Sequence, residues 1–192
     1  MELVFATHNP HKLAEIRQAL PEKFSLKGLT EIGIDEDIPE TGSSLKENAS
    51  IKAKYVYNKT GSFVFSDDTG LEIDALQGDP GVYSARYAGD NATSDQNIDK
   101  VLNQLDGVSD RSARFKTVIC FIENGVTYFF EGLVEGEILT KRSGSDGFGY
   151  DPIFKPKESN VSFAEMSADA KNEISHRGRA LSALVDFLVA HY

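Results

Sequence analysis

The 192-residue chain has no tryptophan and only one cysteine. One cysteine permits no intrachain disulfide, which fits a reducing compartment, so a cytoplasmic protein is expected. Cys120 itself lies in Val118-Ile119-Cys120-Phe121, which reads as a buried strand. No long apolar run occurs, and Met1 to Ala6 enters a strand-like run without a basic leader, so neither a membrane span nor a signal peptide is expected. A basic excess is missing too: 30 acidic residues against 20 basic ones give a formal charge of −10. That argues against a nucleic-acid partner, but a few focused cations can still hold a small polyanion. There is no G-x-x-x-x-G-K-[ST], no G-x-G-x-x-G, no paired-cysteine zinc pattern and no H-E-x-x-H. Any nucleotide site must use another architecture. Without repeats or a long linker, the chain is expected to be a single domain over 1–192, with room for two lobes.

What is present centres on Phe63 to Ile73, where an apolar β-prone run meets Asp67, Asp68, Thr69 and Gly70 before a second β-prone run. Taken locally, an Asp-rich turn between hairpin strands is the stronger reading. The rival is a carboxylate mounted at a strand end to hold a hard cation or activate a water. Neighbouring residues on an extended segment face opposite ways, so only one aspartate can readily serve a given site.

Upstream, Leu3 to Ala6 predicts a short buried strand, followed by Thr7-His8-Asn9-Pro10-His11-Lys12 and a helix with Leu13, Ile16 and Leu20 on one side. Asn9 suits the N-cap and Pro10 the first helical position. Such a junction offers free N–H groups to an anion, and Lys12 in the first turn opposes the dipole by up to roughly a kcal/mol unless an anion binds there. Phe24, Leu26 and Leu29 suggest a second strand. An acidic loop then brings Glu40 just before a helix opened by the capping box Ser44 to Glu47, with Leu45, Ala49, Ala53 and Val56 as its apolar stripe. Asn48 and Lys52, four residues apart, share a neighbouring face, so Lys52 could reach toward whatever Glu40 faces.

Downstream, Thr93 to Gln96 is a second capping box, and Asn124-Gly125 marks a hairpin between Phe115–Phe121 and Val126–Phe130. Leu133 to Leu139 reads as a further strand. In Gly147-Phe148-Gly149-Tyr150-Asp151 an aromatic ring freed by flanking glycines stands beside a carboxylate, a pairing that suits a flat hydrogen-bonding heterocycle. A core-facing Phe in a glycine-rich turn is the equal alternative. Ser175-His176-Arg177 opens a closing helix with Leu181, Leu184, Val185 and Leu188.

Five blocks in this order resemble the inosine triphosphate pyrophosphatase (Ham1/RdgB-like) family: ATHNPHK at 6–12, ETGSSLKENASIKA at 40–53, SDDTGLEIDAL at 66–76 with PGVYSARYAG at 80–89, GFGYDPIF at 147–154, and KNEISHRGRAL at 171–181. The resemblance covers essentially the whole chain. It implies an α/β fold, a mixed twisted sheet with flanking helices, elongated, with two lobes around a central cleft, and usually a homodimer. It also implies Mg²⁺-dependent hydrolysis of non-standard purine nucleoside triphosphates (ITP, dITP, XTP) to monophosphate and pyrophosphate, which cleanses the nucleotide pool. By position, Asp68 becomes metal ligand and proton acceptor and Glu40 a second ligand. The 7–12 loop, with Thr7, His8, Asn9, Pro10, His11 and Lys12, binds the phosphates, assisted by Lys52. Thr69 touches substrate. Phe148 stacks on the base, Gly149, Tyr150 and Asp151 line its pocket, and Lys171, His176 and Arg177 contact substrate at the base end. Two positions depart from the commonest pattern: His11, where glycine is frequent, adds bulk beside the phosphate loop, and Thr69 replaces serine while keeping the hydroxyl. Two alternatives stand beside this reading, a pyrophosphatase for pyrimidine or modified nucleotides and a non-catalytic nucleotide-binding module.

Overall fold

The computed structural model describes residues 1–192. In chain order the elements are β1 (Glu2–Phe5), α1 (Pro10–Ala19), β2 (Ser25–Gly28), α2 (Leu45–Thr60), β3 (Val64–Ile73), β4 (Pro80–Gly81), α3 (Ser94–Gln104), β5 (Ser112–Glu123), β6 (Val126–Ile138), β7 (Phe154–Pro156), α4 (Ala168–Ile174) and α5 (His176–His191). The sheet is mixed and runs β2-β1-β3-β5-β6-β7, with β4 paired to β3 off this path. Strand β1 pairs parallel with β2 and β3, whereas β4 on β3 and β7 on β6 are antiparallel.

The chain divides into two compact units, one of residues 1–68, 117–132 and 178–192, the other of 69–116 and 133–177. In the first unit the period-2 pattern of the strands sorts residues onto two faces. Leu3, Phe5, Phe65, Ile119 and Phe121 pack with Ile16 of α1 and Leu181, Leu184 and Leu188 of α5. Their sequence neighbours Val4, Val64, Cys120 and Ile122 pack with Ala49, Ala53 and Val56 of α2. The second unit has one core, in which Leu71, Ile73, Phe115, Val134 and Phe154 meet Ile98 and Val101 of α3.

Local chemistry sets most boundaries. Asn9 caps α1 and Pro10 occupies its first turn. Thr93 and Gln96 close a full capping box on α3. At α2 only half of the expected box forms. Ser44 Oγ accepts the Glu47 N–H at 3.2 Å, but the Glu47 carboxylate turns to the N–H and hydroxyl of Ser43, at 2.6 and 2.8 Å, because Ser43 offers it two donors. Asn124 and Gly125 join β5 to β6 with positive φ at both positions, as the tight hairpin turn requires.

Two expectations need correcting. There is no turn at Asp67-Asp68-Thr69-Gly70: β3 runs unbroken through them, with Asp67 and Asp68 1% and 7% exposed. Turn propensity yields here to cationic partners on both faces of the strand. Leu133 to Leu139 is not a separate strand but the continuation of β6. The closing helix α5 begins at His176, where the sequence placed it, directly after Ser175 ends the short α4.

Candidate active site

Alternation along β3 places the two aspartates. Phe65 faces the α1 and α5 side and Ser66 the α2 side, where its hydroxyl donates to Ala49 O. Asp67 therefore meets Lys12 of α1, with Nζ 2.8 Å from Oδ1. Asp68 meets Lys52 of α2 at 3.7 Å, and Lys52 also pairs closely with Glu40. The opposite-face placement of the two carboxylates follows from strand geometry alone. Their fields still overlap, since Asp67 acts on Lys52 and Lys12 acts on Asp68.

Burial by itself would lower the Lys52 ammonium, but Asp68, Glu40 and Asp67 outweigh it and hold its pKa above 10.5. Burial also pushes the Asp68 carboxyl above 3.8; Lys52 opposes that shift, Glu40 adds to it, and Lys12 and Asn48 oppose it. Asp68 Oδ2 is buried and has no hydrogen-bond partner within the protein. No group of three or more His, Cys, Asp or Glu residues is assembled that could hold a metal ion by itself. Two carboxylates with a spare buried oxygen nonetheless fit Mg²⁺, which takes one or two carboxylates and completes its shell with water and substrate phosphates.

The 7–12 loop differs from the free-donor picture. Asn9 N–H donates to Thr7 Oγ1 at 3.1 Å, and Asn9 Oδ1 accepts from the N–H groups of His11 and Lys12 at 2.9 and 3.2 Å. An anion would compete with these caps. His8 is exposed and reaches Glu36 O through Nε2 at 3.1 Å, and Pro10 and His11 are exposed at the helix start. The anion that compensates Lys12 in the first turn is Asp67 of the same chain.

In the second unit Asp151 is the hub. Its Oδ2 accepts from Phe148 N–H at 2.8 Å and from Lys171 Nζ at 2.8 Å, with both side chains of the ion pair almost wholly buried. A Cβ at Gly147 would lie 2.2 Å from that same oxygen, so glycine is what lets the loop close on Asp151. Lys171 Nζ sits 4.7 Å and Arg177 Cζ 5.4 Å from the centre of the half-buried Phe148 ring. Arg177 also donates to Thr69 Oγ1 at 3.3 Å. His176 stacks on Phe115 with ring centres 4.5 Å apart. Gly149 has φ of 61° in the turn, with open space around its Cα. Tyr150 is 5% exposed and packs in the core, its hydroxyl donating to Ser84 O at 2.8 Å.

The structure thus gathers Lys12, Glu40, Lys52 and Asp68 in one unit and Thr69, Phe148, Asp151, Lys171 and Arg177 in the other. The reading from sequence set Asp67 apart from Asp68 but did not name its partner, which lies 55 residues away, and gave Asn48 no role although its spacing to Lys52 was visible. It gave Ser84 and Phe115 no role in the site. No local pattern announces either.

A family model described as Ham1 family matches residues 3–187. A Christiangramia forsetii protein named dITP/XTP pyrophosphatase is 53% identical over 188 residues, covering 98% of this chain and 99% of that protein. One of the same name from Flavobacterium johnsoniae is 50% identical over 190 residues, covering 99% of each. The solved structure of a HAM1 protein from Coxiella burnetii matches with a TM-score of 0.91 at 43% identity, covering 99% of both chains.

Proposed function

The chain belongs to the Ham1 family, and from that membership and the two clusters we propose that it hydrolyses non-standard purine nucleoside triphosphates such as dITP, ITP and XTP to the monophosphate and pyrophosphate. The observation that carries the chemical half is the buried Asp68, with an unpartnered oxygen, set against Lys52 and Glu40.

A triphosphate carries about four negative charges near neutrality, which Lys12, Lys52 and a bound Mg²⁺ offset. Asp68 and Glu40 would hold that ion, which when bound neutralises charge on the phosphates. Asp68 orients the attacking water and takes its proton. A carboxyl with a raised pKa is a better proton acceptor than an ordinary aspartate. Lys12, anchored by Asp67, keeps its ammonium beside the helix start where phosphates bind. For the base, Phe148 supplies a stacking face, and Lys171 and Arg177 supply donors for the 6-oxo group of hypoxanthine or xanthine. Adenine presents an amino group at that position and leaves those donors unpaired. A cytoplasmic homodimer that cleanses the nucleotide pool is part of the proposal. No helix is long and apolar enough to cross a membrane.

Pyrophosphate release from ITP, XTP, GTP, dUTP and dTTP in Mg²⁺ tests the reading. ITP and XTP should be turned over at least tenfold faster than the others. Preference for dUTP or dTTP would move the assignment to pyrimidine nucleotides, and no turnover at all would leave a binding module.

A further inference from the structure

Ser84 opens a short 3-10 turn after β4 in the second unit and is buried. Its hydroxyl both accepts and donates. Oγ accepts the Leu71 N–H at 2.9 Å and donates to Gly81 O at 2.6 Å. Since an N–H can only donate, the hydroxyl proton is left to point at Gly81. The Ser84 carbonyl in turn accepts the Tyr150 hydroxyl at 2.8 Å, in a buried bond. Burial pushes that phenol well above its usual pKa, so it keeps its proton and remains a donor.

These bonds close a circuit. Leu71 lies two residues beyond Thr69 on β3. Thr69 Oγ1 accepts from the Arg177 guanidinium, and Arg177 stands over the Phe148 ring. Asp151 holds the Phe148 N–H and follows Tyr150 directly, and Tyr150 returns to Ser84. Asp146 N–H on Ala164 O holds the same turn near its start. Ser84 holds it at its end, against the strand that carries Thr69.

We infer that Ser84 is a positioning residue for base recognition: through its hydroxyl and its carbonyl it sets the 148–151 turn against β3, so that Phe148, Lys171 and Arg177 meet the base in one arrangement. This rests on the recognition role given to those three residues under the proposed function. Tyr150→Phe removes the bond to the carbonyl and keeps the ring in the core. Ser84→Ala keeps that bond and removes both bonds of the hydroxyl.

The test measures kcat and KM of both variants on ITP and ATP in Mg²⁺, beside Phe148→Ala. Each should raise KM for ITP about threefold to tenfold, the worth of one buried hydrogen bond, with kcat within about twofold of the parent. The ratio of kcat/KM for ITP to that for ATP should fall by a similar factor, because donors that are no longer held in place reject adenine less well. A merely structural loss lowers the folded fraction, which scales kcat on both substrates and leaves KM and the ratio unchanged. If Ser84→Ala fails to fold, Tyr150→Phe still carries the test. Parental KM and ratio in the folded variants, beside a raised KM in Phe148→Ala, would overturn this inference alone. Parental KM in Phe148→Ala as well would overturn the recognition reading beneath it.

Discussion

The two units each bury lysines, but in different company. In the first, Lys12 and Lys52 are met by Asp67, Asp68 and Glu40, and the carboxylates crowd one another as well as the lysines. In the second, Lys171 has one carboxylate partner, Asp151, and lies beside the rings of Phe148 and Phe163. The first arrangement mixes charges of both signs, as handling phosphates and a cation demands. The second offers directed donors beside an aromatic face, as reading a flat polar ring demands. The proposed function assigns charge chemistry to the crowded cluster and recognition to the walled one.

Substitutions can break that division. The largest effect is expected from Asp68→Asn, which should cut kcat on ITP by about a hundredfold to ten-thousandfold, the range for losing a general base. Asp67→Asn acts chiefly through Lys12, its direct ion-pair partner, and should cost less in kcat than in KM. Equal kinetic losses at both positions would erase the distinction between the two faces of β3.

Next comes Asp151→Ala. Removing one partner of a buried ion pair leaves an uncompensated charge, and here it also strands the Phe148 N–H. Urea unfolding should show a loss of about 3–5 kcal/mol. A loss below one kcal/mol would mean that the pair is solvated and the hub misassigned.

Phe148→Ala should weaken binding of ITP by about 1–3 kcal/mol, the worth of one base–aromatic stack, read as a raised KM with kcat much less affected. A drop in kcat alone would move Phe148 out of the recognition role.

The smallest effect has the opposite sign. Asp68 has a raised pKa in the folded chain, chiefly from burial, so it binds its proton more tightly folded than unfolded. Its contribution to stability is full below pH 3.8 and is lost as pH rises through the folded pKa. In EDTA at pH 7, Asp68→Asn should therefore melt higher than the parent, with the gap closing as pH falls toward 3.8. A lower melting temperature at pH 7 would show that Lys52 and Lys12 stabilise the carboxylate more than burial destabilises it.

These contrasts also mark what the sequence could and could not disclose. The short apolar run of β1, the alternation in β5 and the caps on α1 and α3 were legible, because they are set by residues within a few positions of one another. Residues 67–70 misled locally: Asp, Thr and Gly favour turns, but burial between Lys12 and Lys52 keeps them extended. The partnership of Lys12 with Asp67, 55 residues apart, depends on the parallel pairing of β1 with β3, which no local pattern encodes. Five ordered blocks named the residues of both clusters without showing which of them touch. Tyr150 illustrates the gap, adjacent to Asp151 in sequence yet turned into the core.

The central claim is that this chain cleaves a non-standard purine triphosphate to release pyrophosphate. Its most direct test is product analysis after incubating purified protein with ITP, with and without Mg²⁺. IMP and pyrophosphate in equal amounts, formed only with the metal, is the predicted result; IDP with orthophosphate, or unchanged ITP, would contradict it.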